Sequence, residues 1–319
     1  VSTVPNELTV AADTVGAAPS GVAPTPARRV FDTLRKSPAV VASVLFIVFI
    51  VLLALFAPLL VKITGWGPLE YDPSAIDPDM GGLPIGPAGG ISADHWFGVE
   101  PQSGRDIFAR IAYGARVSLT IAASATVVTT VIGVVLGLLA GYYRGWVDTA
   151  ISRLMDFLMA FPSLIFMIAL LSALPAGNRP VLLVLVLSIF GWPYTARIVR
   201  GQTMSLGNRE FVEAARASGA SNTKIIFREI LPNLRGTIIV LVTFAIPGFI
   251  GTEAGLSFLG VGVVPPTPSW GQMIYSAVGW YAVDPMYFMV PGVFLFLTVF
   301  SFTVFGDNLQ KALDGKAKK

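Results

Sequence analysis

Long charge-free stretches alternate along the chain with short segments rich in charge, proline and glycine. A helix needs about 20 apolar residues to cross a bilayer. Six runs meet that length: Ala39–Val61, Val117–Gly141, Phe157–Leu174, Pro180–Ala196, Gly236 to about Val261, and Pro285–Phe305. The fourth is the shortest and carries Pro193 near its end; Glu253 interrupts the fifth. The pattern predicts an all-α membrane protein with six transmembrane helices. An even number places both termini on one side, and the Lys/Arg bias says which. With cytoplasmic termini the inside segments hold Arg28, Arg29, Arg35, Lys36, Arg144, Arg153, the basic cluster from Arg197 to Arg235, and Lys311, Lys316, Lys318 and Lys319, while the outside holds only Lys62, Arg105, Arg110, Arg116 and Arg179.

Composition agrees. The 319 residues are 54% hydrophobic and 13% charged, with a mean hydropathy of +0.71, too few charges to clothe a soluble domain. With no cysteine, disulfides, thiolate metal sites and cysteine nucleophiles are excluded. The net charge of +3 lies in loops beside apolar runs, where it sets topology, so lipid is the expected partner and nucleic acid is not. Residues 1–36 are expected to form a largely disordered cytoplasmic tail, and 37–319 the transmembrane domain. The apolar run after Lys36 is too long for a signal core and is expected to remain as an anchor.

The stretch at about 62–116 is expected to be an external loop with little regular structure until about Asp106, where Ile107, Phe108 and Ile111 suggest a helix leading into the second span. A second external segment, Val263–Asp284, holds Trp270, Tyr275, Trp280 and Tyr281. These aromatics suit either the membrane interface or internal packing.

The polar stretch at about 197–235, between the fourth and fifth spans, is the most informative. Asn208 is placed to cap a helix, Glu210 and Glu213 favour its first turns, and Gly219 suits a left-handed C-terminal cap. The predicted helix, Arg209–Ser218, is roughly 15 Å long, too short to cross the bilayer, and so lies along its inner surface. Ala214, Ala215 and Ala217 give it a thin surface that another backbone can approach, with Glu213 as a fixed charge. Glu213-Ala214-Ala215, then Gly219, then Ile230-Leu231-Pro232 resembles the EAA motif of ABC importer permeases; Glu229 stands where many members have isoleucine. His95-Trp96-Phe97-Gly98, Gly104-Arg105-Asp106, Arg110, Tyr113 to Leu119, Asp156 with Ala160-Phe161-Pro162, Glu253 to Gly260, and Pro268-Ser269-Trp270-Gly271 are similar to the oligopeptide, dipeptide and nickel branch, in the subunit type with the longer loop after its first helix.

That resemblance runs from about Leu34 to the C-terminus. It implies a type I ABC importer permease fold with a cytoplasmic coupling helix, and coupling through Asn208, Glu213, Ala214, Ala215 and Gly219. It also implies a homologous second permease, one or two ATPase subunits and an extracytoplasmic substrate-binding protein. The chain has no G-x-x-x-x-G-K-[ST] loop, so it should bind no cofactor, with ATP and magnesium on the partner ATPase. Oligopeptides or dipeptides are the expected cargo, with nickel or haem as alternatives in the same branch. A self-sufficient secondary transporter would show two related halves, and a hydrolytic enzyme H-E-x-x-H or G-x-S-x-G; neither is present.

Four further features bear on function. Glu253 lies within a span, where charge is costly; it either lines the translocation path near its outer end or makes a structural hydrogen bond. Asp156 has Arg153 one turn before it, in an exposed pair or at an inner gate. Gly133, Gly137 and Gly141 put small surfaces on one face, for packing within the chain or against the partner permease. His95, the only histidine, has no metal-ligand neighbours in sequence and is expected to pack the external loop.

Overall fold

The computed structural model describes residues 37–175 and 177–314. The N-terminal segment expected to be a disordered tail, residues 1–36, lies outside the described residues. Among the described residues there are nine helices: α1 Pro38–Thr64, α2 Ile107–Tyr143, α3 Gly145–Ala160, α4 Ser163–Ala173, α5 Arg179–Leu206, α6 Glu210–Ala217, α7 Asn222–Phe258, α8 Trp270–Ala277 and α9 Pro285–Asp314. Between α1 and α2 lie a short 3-10 turn and a two-stranded antiparallel ribbon, β1 Ile76–Asp77 with β2 Leu83–Pro84.

Five of these helices, α1, α2, α5, α7 and α9, are long and apolar enough to cross a membrane singly. The predicted third span, Phe157–Leu174, is instead broken: α3 and α4 meet at 84° around Phe161-Pro162. Proline disfavours the α region for the residue before it and has no N–H to give the preceding turn; here Phe161 is extended, and the helix stops at Ala160 and restarts at Ser163.

Packing shows that the bent pair nevertheless carries the chain across. Gly133, Gly137 and Gly141 of α2 lie against Thr195, Val199 and Thr203 of α5 in the same order, so α2 and α5 run parallel. The chain must therefore return between them. It does so antiparallel to α5: Asp148 contacts Arg200, Asp156 contacts Arg197, and Arg179 donates to the Leu171 carbonyl at 2.8 Å. The crossings number six, as expected, and Pro38 and Asp314 fall on the face that carries α6.

The glycine ladder is internal packing within one chain. A Cβ at Gly133 or Gly141 would stand 2.6 Å from a threonine Cβ of α5, so only glycine permits this approach. Buried Leu183, Leu187, Val199 and Thr203 complete the α5 face.

The stretch expected outside is more ordered than its composition suggests. Residues 65–106 fold into a cap over the ends of the spans opposite α6. Two glycines make the close turns: Gly98 (φ +80°) and Gly104 (φ +66°) press against the carbonyls of Gly89 and Asp72, and a side chain at either would collide with that backbone. Asp106 caps α2, accepting from the Ala109 N–H at 2.6 Å. The 37 residues of α2 span about 55 Å, nearly twice the hydrocarbon thickness, and its first turns belong to the cap. Trp270 is fully buried there, donating to the Ile111 carbonyl, whereas Tyr275 and Tyr281 are exposed.

Candidate functional site

The polar loop is shorter than predicted, because α5 continues to Leu206 and α7 begins at Asn222. Charge at Arg197 and Arg200 does not end α5, since Val199 and Thr203 keep its buried stripe going. Within the loop sits α6, Glu210–Ala217. Its N-cap is Arg209, with no side-chain cap bond, and not Asn208 as expected. The Asn208 side-chain Oδ1 instead accepts from Arg144 Nη2 at 2.7 Å, tying the loop to the end of α2.

Gly219 adopts the expected left-handed conformation (φ +77°). The Ala220 N–H bonds the Ala215 carbonyl and the Gly219 N–H bonds that of Arg216, the paired bonds of a Schellman cap. Ser221 then caps the start of α7 by accepting from the Lys224 N–H. The turns Ile225–Ile230 are π-helical, and Leu231 bonds back to Ile226. They lie just before Pro232, which can neither donate to residue 228 nor clear its carbonyl in a tight helix.

One face of α6 is docked. Val212 is fully buried among Leu138 of α2, Val199 of α5, and Ile225, Ile226 and Ile230 of α7, with Ala215 packed beside it. Glu210, Phe211, Glu213, Ala214 and Ala217 are exposed on the other side. The three EAA positions are thus divided: Glu213 and Ala214 face out, while Ala215, expected on the thin outer surface, is largely turned into its own bundle. Arg216 lies over the Tyr142 ring at 5.5 Å, and the Tyr142 hydroxyl donates to Asn222 at 2.8 Å. The short helix is therefore joined to α2, α5 and α7 together.

Those same helices border a cleft of ≈ 890 Å³. Its α7 wall repeats at helical spacing through Asn233, Gly236, Thr237, Val240, Phe244, Gly248 and Thr252; α5 contributes Phe190, Tyr194, Thr195 and Ile198, and α9 Gln310 and Leu313. Among the described residues, none that lines it is charged. Among the described residues, nothing outside the helix's own backbone lies within 4 Å of where a Cβ of Gly236 or Gly248 would be, so this wall is open to a neighbour or to water.

Glu253 does not line the cleft. It is fully buried, and its carboxylate accepts from the hydroxyls of Ser118 and Ser257 at 2.7 Å each. Ser257 in turn accepts from the Val263 N–H at 2.9 Å. Of its two possible roles the geometry is that of the structural tie, joining α2, α7 and the segment after α7; it is the neighbouring Thr252 that lines the cleft. Asp156 pairs with Arg197 at 2.6 Å and not with Arg153.

The cap holds two charge knots that sequence reasoning passed over. Arg110 is fully buried: Nε lies 2.6 Å from Glu100, and its Nη atoms donate to the Pro68 carbonyl at 3.1 Å and to Gln272 at 3.0 Å. Glu100 also accepts from Arg105 and Tyr287. His95 is buried between two carboxylates, Nδ1 2.9 Å from Asp106 and Nε2 3.2 Å from Asp72, with Trp66 against its ring. The Ser74 hydroxyl holds the Asp72 carboxyl below its usual pKa, whereas burial pushes that of Asp106 up. The signal for both knots was the charge density of a loop rich in glycine and proline.

Comparison with known proteins agrees with this arrangement. Residues 133–319 match the family described as binding-protein-dependent transport system inner membrane component, and residues 25–84 match the N-terminal transmembrane domain of oligopeptide transport permease C. The glutathione transport system permease protein GsiD of Salmonella typhimurium (strain LT2) is 40% identical over 294 residues, covering 92% of each chain. GsiD of Shigella flexneri serotype 5b is 39% identical over the same length. Among solved structures, the inward-facing MetNI methionine ABC transporter matches with a TM-score of 0.53 at 20% identity, over 64% of this chain and 96% of that one, a likeness of fold. Family membership implies ATPase and substrate-binding partners on other chains. The chain belongs to the binding-protein-dependent transport system inner membrane components, and is a multi-pass, non-catalytic permease subunit of an ABC importer.

Proposed function

We propose that this permease forms one half of an import path for oligopeptides, dipeptides or glutathione, with the ≈ 890 Å³ cleft as its share of that path. The face bearing α6 is cytoplasmic, with both termini on it, as the Lys/Arg bias requires. A homologous second permease covers the open wall of the cleft. One or two ATPase subunits, which carry ATP and magnesium, receive Glu213 and Ala214, and an extracytoplasmic binding protein delivers cargo to the cap.

One observation carries the reading: Val212 roots α6 in a cluster drawn from α2, α5 and α7, the helices that flank the cleft. A push on α6 is thereby delivered to three walls of the path at once, which is what coupling between two distant sites needs. Support for peptide cargo comes from the GsiD relatives and from the neutral, threonine- and amide-bearing lining, which offers hydrogen bonds to peptide groups.

Placing a large side chain on the outward face tests this. Ala214→Trp, combined with Glu213→Ala, should leave membrane insertion intact while removing the ATPase from the purified complex and abolishing ATP-dependent glutathione uptake. Full uptake by that variant would overturn the proposal.

A further inference from the structure

Two ion pairs join α3 to α5, and they are built differently. Asp148 and Arg200 are mostly shielded, share two hydrogen bonds, and Ser152 donates to the same carboxylate. That pair is a clamp. Asp156 and Arg197 stand about a turn further into the membrane, joined by one bond from Nη2 to Oδ1 at 2.6 Å, and their side chains are 54% and 48% exposed. Among the described residues, neither side chain makes a second side-chain hydrogen bond.

Exposed charge within a span does not face lipid without a heavy penalty, so it faces water or protein. Geometry says where. At about 100° per residue, Arg197 projects about 60° from Tyr194, on the side where Phe190 projects, and about one turn nearer the α6 face. Tyr194, Phe190 and Ile198 all line the cleft. Arg197 therefore stands at the cleft's edge towards the inner face, and Asp156 brings the opposite charge to the same place. Every described residue lining the cleft proper is uncharged. Cargo moving inward along this wall meets its first fixed charges here.

We propose that Asp156 and Arg197 form a charged rim at the inner mouth of the cleft and exchange partners with the termini of a zwitterionic peptide, Asp156 taking the ammonium and Arg197 the carboxylate. This rests on the cleft being part of the path. In the resting state the two side chains neutralise each other. On passage, one ion pair becomes two, so the peptide's charges are matched as it leaves the neutral lining. The weak single bond makes that exchange easy, where the Asp148–Arg200 clamp would resist it.

The test uses the assembled importer in inside-out vesicles, with glutathione and alanylalanine as cargo. Because the chain has no cysteine, Arg197→Cys and Thr237→Cys give single reporters for a charged, membrane-impermeant thiol reagent added from the α6 face. Both should react, and cargo with ATP should change the rate at residue 197. The neutral pair D156N/R197Q should lower maximal uptake about tenfold, as expected for losing hydrogen bonds to charged groups. The charge-conserving pair D156E/R197K should restore most of it. An unreactive R197C beside a reactive T237C, or wild-type uptake by D156N/R197Q, overturns the rim while leaving the cleft reading intact. An unreactive T237C overturns both.

Discussion

Alanine at Gly137 should pry α2 from α5. A Cβ there would lie 2.7 Å from the Ala196 carbonyl oxygen and 2.8 Å from Val199 Cβ, whereas non-bonded atoms rest at about 3.5–4.0 Å. The helices must part by about 1 Å, and a gap of that size forfeits a quarter to a half of the dispersion energy of neighbouring contacts. The expected loss is about 1–3 kcal/mol, the usual range for one surplus methyl in a packed interface. Gly133 and Gly141 make the same approach, each with a threonine Cβ at 2.6 Å. One separation relieves all three, so the triple alanine variant should lose clearly less than the sum of the singles. Gly201, on α5 but with nothing within 4 Å, is the control. Alanine there should be neutral or stabilising by up to about 1 kcal/mol, from helix propensity alone. Denaturant unfolding of the detergent-solubilised permease measures each value. A Gly137→Ala protein as stable as wild type, or strict additivity across the three sites, would refute close packing along this ladder.

Gly219→Ala should cost the C-terminal cap of α6 about 1–2 kcal/mol, since the left-handed conformation is retained without any clash, and Gly219→Asn should cost less; the ratio of uptake to ATP hydrolysed reports it. Arg110→Ala removes one of the two guanidinium groups on the buried Glu100, leaving Arg105 and Tyr287 in place, and should destabilise the permease by about 1–3 kcal/mol, visible as loss of folded protein in the membrane. Glu253→Leu leaves the Ser118 and Ser257 hydroxyls without an acceptor and should cost about 1–3 kcal/mol for each, whereas Glu253→Gln keeps one acceptor and should preserve the KM for glutathione uptake. A changed KM in Glu253→Gln would return that residue to the path.

Periodicity and charge were enough to read the spans, because bilayer thickness dictates helix length and leaves little freedom. They could not show that Phe157–Leu174 is broken at Pro162, since proline also sits within unbroken spans, as Pro58, Pro193 and Pro247 do here. What separates them is whether neighbours re-satisfy the freed backbone, a tertiary property. The end of α5 was hidden for a similar reason: Arg197 and Arg200 look like loop, yet each meets a carboxylate of α3. In the coupling loop, Gly219 was readable because only its φ matters. Asn208 was not, because an asparagine near a helix start can equally serve Arg144 from another element. The cap was least readable, since Arg110, Glu100, Gln272 and Tyr287 come from segments up to 187 residues apart.

The link from α6 to the cleft can be measured in the complete transporter carrying a Thr237→Cys reporter in the cleft wall. Val212→Asp places a charge where Leu138, Val199 and Ile225 exclude water, forcing α6 off its cluster while Glu213 and Ala214 stay available to the ATPase. With Val212 intact, ATP should alter the labelling rate of the cleft cysteine. With Val212→Asp, the ATPase should still co-purify and hydrolyse ATP, and the labelling rate should no longer respond. An undiminished ATP response in Val212→Asp would contradict transmission through the docked helix.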